Sequence, residues 1–259
     1  MVARVKLYSV LTYNFNDYEI LREPSEIDPA CEYVYVTDNP KFKDCTKVWK
    51  VVVDESLQGL SAFDKCYSVR FNLFKYVATE VCIYIDGSVQ INKSLRVLYE
   101  SFINSKADIG LNIHPTRDNV KDEYDIWVKS RGYDTYQRDK CLCMMKATSY
   151  DPLFKGLYQG TLRICKNTLL NQKIDSLVYK TLVKLGSWGT IERLDQTIYS
   201  FIVNKFFSQV SVFPISSQVL QSDYLSWCQH GKSVIHPYNK DNDKPMVYVL
   251  GKLCKPYFI

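Results

Sequence analysis

Short apolar runs alternate with amphipathic segments along the first half of the chain. Three runs rich in β-branched residues are each bounded by turn or acidic residues, as strands are. A fourth run, Val81–Ile85, is apolar at every position, which is typical of a strand buried on both faces of a parallel sheet. Apolar residues at helical spacing separate these runs. The pattern predicts strands over 5–11, 32–37, 48–53 and 81–85, and helices over 63–79 and 95–103.

The second half continues the alternation less regularly. It carries no internal repeat and no linker that would separate two domains. The tail from Trp227 is rich in Lys, Asn, Asp and Pro, which predicts a surface segment or lid. Strands interleaved with helices predict one α/β domain. The predicted strands are 107–113, 157–165 and 210–213, and the predicted helical regions are 118–149, 169–185 and 191–207.

Composition narrows the class of protein. The chain has 259 residues, 46% hydrophobic and 24% charged, close to globular averages. No apolar run approaches the roughly 20 residues that a membrane span needs. The first residues lack the apolar core and cleavage site of a secretory signal. We therefore expect a cytoplasmic protein with at most peripheral association at the inner membrane surface.

The nine cysteines favour a reducing compartment. They are odd in number and scattered, whereas a disulfide scaffold is short and rich in cysteine. Cys82 and Cys165 lie inside apolar segments, where cysteine behaves as a small hydrophobic residue. Cys141 and Cys143 have the wrong spacing for a zinc knuckle and no second pair to complete one.

Charge is distributed unevenly. The net charge is +5, but residues 17–64 hold 11 acidic and 5 basic residues, a balance of −6, and residues 65–259 carry +9. This basic excess suits a phosphate-bearing ligand or an anionic membrane surface. The lysines are interspersed with acids, so no nucleic acid partner is expected.

The most informative short segment is Asp86-Gly87, directly after the buried strand. Open α/β sheets bind ligands beyond the carboxyl ends of their strands. A carboxylate there would suit a divalent ion on a diphosphate, and a plain strand-ending turn is the equal alternative. The chain has no G-x-x-x-x-G-K-[ST], G-x-G-x-x-G or G-x-S-x-G motif.

Read together, short segments over roughly residues 5–205 resemble the glycosyltransferase-like family DUF616, whose members are similar to nucleotide-sugar transferases of the GT-A fold. The order of the motifs carries the resemblance. The segments are the first strand and its loop from Tyr8 to Asp17, the Thr37-Asp38-Asn39 stretch, Trp49 to Val52, Arg70 with Lys75, Tyr84 to Ser88, His114 with Arg117 and Glu123, and Trp188 with Arg193, Asp195 and Gln196.

The resemblance implies a GT-A-like (Rossmann-like) α/β fold with a mixed, largely parallel central sheet flanked by helices, in a single domain. About 1–115 would be the nucleotide-sugar half, about 116–226 the acceptor and catalytic half, and about 227–259 the tail or lid. It also implies transfer of a sugar from a nucleotide diphosphate donor to a glycan or lipid-linked glycan, in surface polysaccharide assembly. The alternatives are a catalytically inactive sugar-nucleotide or glycan binding module and, third, a nucleotidyltransferase.

For the donor, the resemblance implies contacts from residues of the first half. Asp86 matches the first acid of the D-x-D that holds metal and nucleotide in GT-A enzymes, and Ser88 stands where the second acid would be. The resemblance implies an Mn²⁺ or Mg²⁺ cofactor. Ser88 weakens that implication, because a hydroxyl is a poorer cation ligand than a carboxylate. Arg70 and Lys75 would face the diphosphate, although a solvated helix face is their plainer role. Thr12 and Asp38 complete the implied donor contacts, with a turn or helix cap as the alternative for Asp38.

For the reacting centre, the resemblance implies Asp195 and Gln196, where an acid can orient or deprotonate the acceptor hydroxyl. Their plainer role is polarity on a helix surface. His114 and Trp188 are implied acceptor or sugar contacts. His236 is the implied late metal ligand, and an exposed loop is its alternative.

Overall fold

The computed structural model describes residues 5–131, 135–186, 194–220 and 222–228. Within them, helices and strands follow one another much as the sequence pattern predicts. The strands are β1 (Tyr8–Asn14), β2 (Cys31–Thr37), β3 (Lys50–Val53), β4 (Val81–Ile85), β5 (Val89–Ile91), β6 (Ile109–Ile113), β7 (Tyr158–Lys166), β8 (Val212–Ile215) and β9 (Leu225–Trp227). The α-helices are α1 (Ala62–Arg70), α2 (Arg96–Ser105), α3 (Val120–Arg131), α4 (Thr135–Ala147), α5 (Leu169–Gly186) and α6 (Leu194–Phe206).

The chain divides into two compact units. The first contains the chain up to Ser101 together with the segment from Val219 onward, and the second contains Phe102–Gln218. In the first unit, four parallel strands stand in the order β3-β2-β1-β4. The chain therefore steps outward from β1 to β2 and β3, then crosses to the other side of β1 to form β4. This reversal places a topological switch point between β1 and β4.

The sheet of the first unit forms because its inner strands are apolar on both faces. All five residues of β4 are buried, and six of the seven residues of β1 are buried. β-branched and aromatic side chains fill these strands, as expected for a sheet covered on both sides. A short antiparallel pair, β5 with β9, joins Val89 to Trp227 in register.

Helix α1 begins at a side-chain cap and ends earlier than the periodicity predicts. Ser61 accepts a hydrogen bond from the backbone N–H of Asp64, and its hydroxyl donates to the Asp64 carboxylate. At the other end, the Asn72 side-chain amide donates to the carbonyl of Ser68 at 2.8 Å. A continuing helix would use that carbonyl for the backbone N–H of Asn72, so the side chain replaces the helical bond and the helix ends.

The described part of the second unit contains a mixed sheet and helices α3 to α6. Strand β6 runs antiparallel to β7 and parallel to β8, with an irregularity between Leu111 and Asn112. Helix α6 packs against β7, α5 and α3. Most side chains of the described part of α6 are buried, from Asp195 to Val203. This burial anchors α6 and fixes the position of the residues in its first turn.

The prediction of a mixed α/β fold with a largely parallel sheet flanked by helices is confirmed. None of the helices in the described part of the chain is long and apolar enough to cross a membrane. Cys82 and Cys165 are completely buried, as their apolar surroundings predict. Burial raises the pKa of the Cys165 thiol to about 12, so this side chain stays protonated and serves in packing.

Candidate functional site

Three strands of the first unit are each followed directly by an aspartate, and these aspartates share one edge because the strands are parallel. Each carboxylate is paired with a cation from the segment that spans α1 and the short 3-10 helix after it. We call this set of six side chains the strand-end edge. Its pairs are Asp38 with Lys65 at 2.8 Å, Asp54 with Lys75 at 2.6 Å, and Asp86 with Arg70 at 2.6 Å.

The densest contacts of the strand-end edge lie at the switch point between β1 and β4. Arg70 donates to the hydroxyls of Tyr13 and Tyr84, each at 2.9 Å, and to Oδ1 of Asp86. Tyr84 also donates to Oδ1 of Asp86. The other carboxylate oxygen of Asp86, Oδ2, has no hydrogen-bond partner among the described residues, and 26% of the Asp86 side chain is exposed. One carboxylate oxygen is thus held by the protein and the other is open to a ligand.

Burial fixes the protonation states in this network. It raises the pKa of Tyr13 and of Tyr84 well above their ordinary values, despite the opposing charge of Arg70. Burial alone would lower the pKa of Arg70, but the two tyrosines and Asp86 raise it. Both phenols therefore remain donors, and the guanidinium remains charged.

The two residues after Asp86 close the strand end tightly. A Cβ on Gly87 would lie 3.0 Å from the carbonyl oxygen of Tyr13, so a side chain there would push β1 and the β4 end apart. The backbone N–H of Val89 donates to the carbonyl of Asp86 at 3.0 Å, which makes the turn that Asp-Gly predicts. Ser88 is buried, and its carbonyl accepts from Cys228.

Asp38 organises the loop after β1. Its carboxylate accepts from the backbone N–H of Asn16 at 3.1 Å, and Lys65 donates to it from α1. Asn39 donates to Asp17 at 2.8 Å. Asn16 and Asp17 both have left-handed backbones, with φ of 56° and 54°, a conformation that Asn and Asp tolerate better than most residues. The residues that directly follow β2 therefore hold the loop beside the switch point.

The structure separates two cations that the resemblance assigns to one diphosphate. Arg70 contacts the end of β4, whereas Lys75 contacts Asp54 at the end of β3. Because β3 and β4 stand three positions apart in the order β3-β2-β1-β4, their axes are about 14 Å apart at the usual strand spacing. Lys75 is thus remote from the switch point. Thr12 lies buried in β1, and its Oγ1 has no partner among the described residues.

The Asp54–Lys75 pair predicts a specific acid sensitivity. Burial alone would raise the pKa of Asp54, but hydrogen bonds from Lys75, Ser56 and Tyr76 lower it well below its usual range. The stability that this carboxylate contributes is therefore complete above about pH 4, where it also ionises in the unfolded chain, and is lost as the pH falls further.

We expect Asp54→Asn to reduce the difference in urea midpoint between pH 6 and pH 2.5. Asp44→Asn is the matched control, since Asp44 is exposed and forms no ion pair within the described residues. Equal acid sensitivity in wild type and Asp54→Asn would contradict the role of this pair.

In the second unit, residues far apart in sequence converge on Glu123. Its carboxylate, 1% exposed, accepts from Arg117, from the indole N–H of Trp127 at 2.6 Å, and from the side-chain amide of Gln196. His114 lies beside it, with Nε2 3.8 Å from the carboxylate. We call His114, Arg117, Glu123, Trp127 and Gln196 the Glu123 cluster. It brings together the predicted His114 and Gln196.

His114 is surrounded by donors. The backbone N–H groups of Thr116 and Arg117 lie 3.3 Å and 3.1 Å from Nδ1, and the Arg117 guanidinium lies 2.9 Å from Nε2. A neutral imidazole accepts at one ring nitrogen only, so the backbone N–H groups at Nδ1 and the guanidinium at Nε2 compete for a single acceptor position.

The remaining predicted residues have other outcomes. Asp195 lies buried in the first turn of α6, next to Gln196. Trp188, Arg193 and His236 lie outside the described residues.

Lys65, Tyr13, Tyr84 and Trp127 take part in these two sites but were missed by sequence reasoning. Tyr84 carried a usable signal, because residues two apart on a strand share a face and Tyr84 precedes Asp86 by two. Trp127 follows Glu123 by four residues on α3, which places both on one side of the helix. No such spacing points from Tyr13 to Arg70 or from Lys65 to Asp38.

A divalent ion finds few ligands in the described part of the chain. No group of three or more His, Cys, Asp or Glu side chains there is arranged to hold a metal. Asp86 offers one open oxygen, but the Arg70 guanidinium already lies 2.6 Å from its other oxygen and offsets the carboxylate charge. These residues fit a resident cation poorly. Comparison with known proteins found no family model and no curated protein that match this chain.

Proposed function

We propose that this protein is a glycosyltransferase with a GT-A-like fold that takes a sugar from a nucleotide diphosphate donor. One observation carries the proposal: the Arg70–Asp86 pair lies at the carboxyl end of β4, directly at the switch point between β1 and β4. Open α/β sheets bind nucleotides in the crevice at that point. The side chains that lie there have the chemistry to meet a diphosphate and a sugar.

Arg70 supplies the charge for the diphosphate. A guanidinium is planar, always charged and suited to paired contacts with phosphate oxygens. The tyrosine hydroxyls that accept from Arg70 hold it in place, so little conformational freedom is lost when a ligand binds. The open Oδ2 of Asp86 then accepts a hydrogen bond from a hydroxyl of the ribose or of the donor sugar.

Asp38 follows β2, on the other side of β1 from Asp86, and the axes of β2 and β4 are about 10 Å apart at the usual strand spacing. It holds the loop of Asn16, which supports an assignment to the nucleoside end of the donor. In this proposal the acceptor is a glycan or lipid-linked glycan of a surface polysaccharide. No step in it passes through a metal ion, because the described residues around Asp86 fit one poorly.

Calorimetry with UDP, GDP, ADP and CDP tests donor binding directly. We expect one of them to bind with a Kd below about 1 mM and its nucleotide sugar to bind as well or better. We also expect the Kd to change less than threefold between 1 mM EDTA and 5 mM Mn²⁺, because Arg70 supplies the positive charge. If none of the four nucleotides binds, the proposal is overturned. Binding that requires Mn²⁺ would restore the metal cofactor.

A binding module without catalysis is the second candidate. The observation that favours it is the pairing of every cation of the strand-end edge with a carboxylate, which leaves the edge without excess positive charge. Such an edge offers little stabilisation to a leaving diphosphate, which favours binding without catalysis. Hydrolysis of the bound nucleotide sugar in the absence of an acceptor distinguishes the two, because a binding module would show none.

A further inference from the structure

Glu123 joins three parts of the second unit through one buried carboxylate. Oε2 accepts from Arg117, in the segment after β6, and Oε1 accepts from Trp127 on α3 and Gln196 on α6. The side chain is 1% exposed. A buried carboxylate is stable only when donors satisfy its oxygens, and here they come from positions 117, 127 and 196.

The chemistry of the carboxylate determines how the Gln196 amide is oriented. An ionised carboxylate only accepts hydrogen bonds, so the NH₂ group of Gln196 must face Glu123. The amide oxygen, Oε1, therefore points to the other side. No described residue donates a hydrogen bond to it. Glu123 thus turns a side chain that could donate or accept into one that presents an acceptor.

We infer that Glu123 is a positioning residue that fixes the Gln196 amide so that its oxygen accepts a hydrogen bond from a sugar hydroxyl. The inference rests on the proposed function for the identity of the ligand as a sugar. The hydroxyl belongs to a glycan acceptor. His114 is in the same cluster and Asp195 directly precedes Gln196 on α6, so the glycan would bind beside the predicted reacting centre.

The test uses Glu123→Gln, which keeps the size of the side chain and removes the charge. A glutamine at 123 can donate to Gln196 as well as accept from it, so the amide at 196 loses its fixed orientation. An oligosaccharide array should show the best-bound glycan losing at least tenfold in affinity, while calorimetry shows a nucleotide-sugar affinity within about twofold of wild type.

Asn204→Ala is the matched control, because it removes a side-chain donor from the same helix as Gln196, one that contacts the carbonyl of Gly156 at 2.8 Å and lies outside the Glu123 cluster. It should lower stability but leave both sugar affinities within about twofold. The exchanged variant, Glu123→Gln with Gln196→Glu, keeps a donor–acceptor pair and an acceptor at 196, so it should recover most of the lost affinity. Recovery is a result that a purely structural role for Glu123 does not predict.

Three results would overturn the inference. They are a folded Glu123→Gln variant with unchanged glycan affinity, an equal loss in Asn204→Ala, and a wild-type protein that binds no glycan on the array. Failure of the proposed donor site is a separate outcome, because a protein that binds no nucleotide but binds a glycan through Glu123 keeps the inference and loses only the donor assignment.

Discussion

Replacing Asp86 with alanine should reduce nucleotide-sugar turnover at least a hundredfold while the protein remains folded. The open Oδ2 is the one acceptor that this residue offers a ligand, and removing a charged group aimed at the reacting part of a substrate commonly costs about 10²–10³ in rate. Arg70 keeps the Tyr13 and Tyr84 hydroxyls as partners in the variant, which limits the loss of stability. Turnover with donor at saturation and circular dichroism would be measured together.

A second substitution and a surface control separate the charge of Asp86 from its hydrogen bonds. Asp86→Asn keeps an oxygen for Arg70 and Tyr84 and loses only the charge, so its rate should lie between those of wild type and Asp86→Ala. Asp223→Ala removes the carboxylate of another ion pair in the same unit, with a side chain 81% exposed, and should leave turnover within twofold. Full activity in Asp86→Ala would refute the donor site.

The parallel sheet of the first unit was predictable because its strands are locally distinct. The continuous apolar run of β4 predicts its bounds, and the acid after it predicts a ligand edge. The early end of α1 was not predictable from periodicity, because apolar residues continue to Val77. The signal was Asn72, whose side chain can replace a backbone donor.

The pairing at the strand-end edge could be predicted only in part. The resemblance implies that Arg70 and Lys75 face one diphosphate. The order β3-β2-β1-β4 sends them to different strands, and strand order is set by long-range pairing rather than by local pattern. The Glu123–Gln196 contact joins residues 73 positions apart, so local pattern could not predict it either.

The shortest strands were not predicted, because they have too few residues to show the alternation of apolar and polar positions that indicates a strand. β5 and β9 have three residues each, fewer than the alternation of a strand needs to be recognised. The prediction of a tail from Trp227 onward therefore overlapped the last residue of β9. These two strands are stabilised by their pairing, which aligns Val89 with Trp227, and not by their local sequences.

The buried pair of Arg163 and Asp175 predicts the largest effect on stability. Arg163 donates to Asp175 at 2.6 Å and 3.3 Å, both side chains are less than 9% exposed, and the guanidinium lies 5.1 Å from the ring centre of Tyr199. Burial raises the pKa of Asp175 although Arg163 opposes the shift. The two charges are therefore stable in the interior only as a pair.

Asp175→Ala should lower the free energy of unfolding by about 3–5 kcal/mol, because it leaves the Arg163 charge buried without its carboxylate. Urea denaturation followed by fluorescence measures the loss. Asp139→Ala is the matched control in the same unit, since its pair with Arg138 is exposed, and should cost less than about 1 kcal/mol.

The double variant Arg163→Met with Asp175→Leu tests whether the cost comes from the uncompensated charge. Apolar side chains of similar size need no partner, so the double variant should be more stable than Asp175→Ala and close to wild type. If it is as unstable as Asp175→Ala, the packing of these side chains, and not the buried charge, accounts for the loss. If Asp175→Ala costs no more than Asp139→Ala, the Arg163 charge must reach solvent in the variant, and the pair does not anchor the unit.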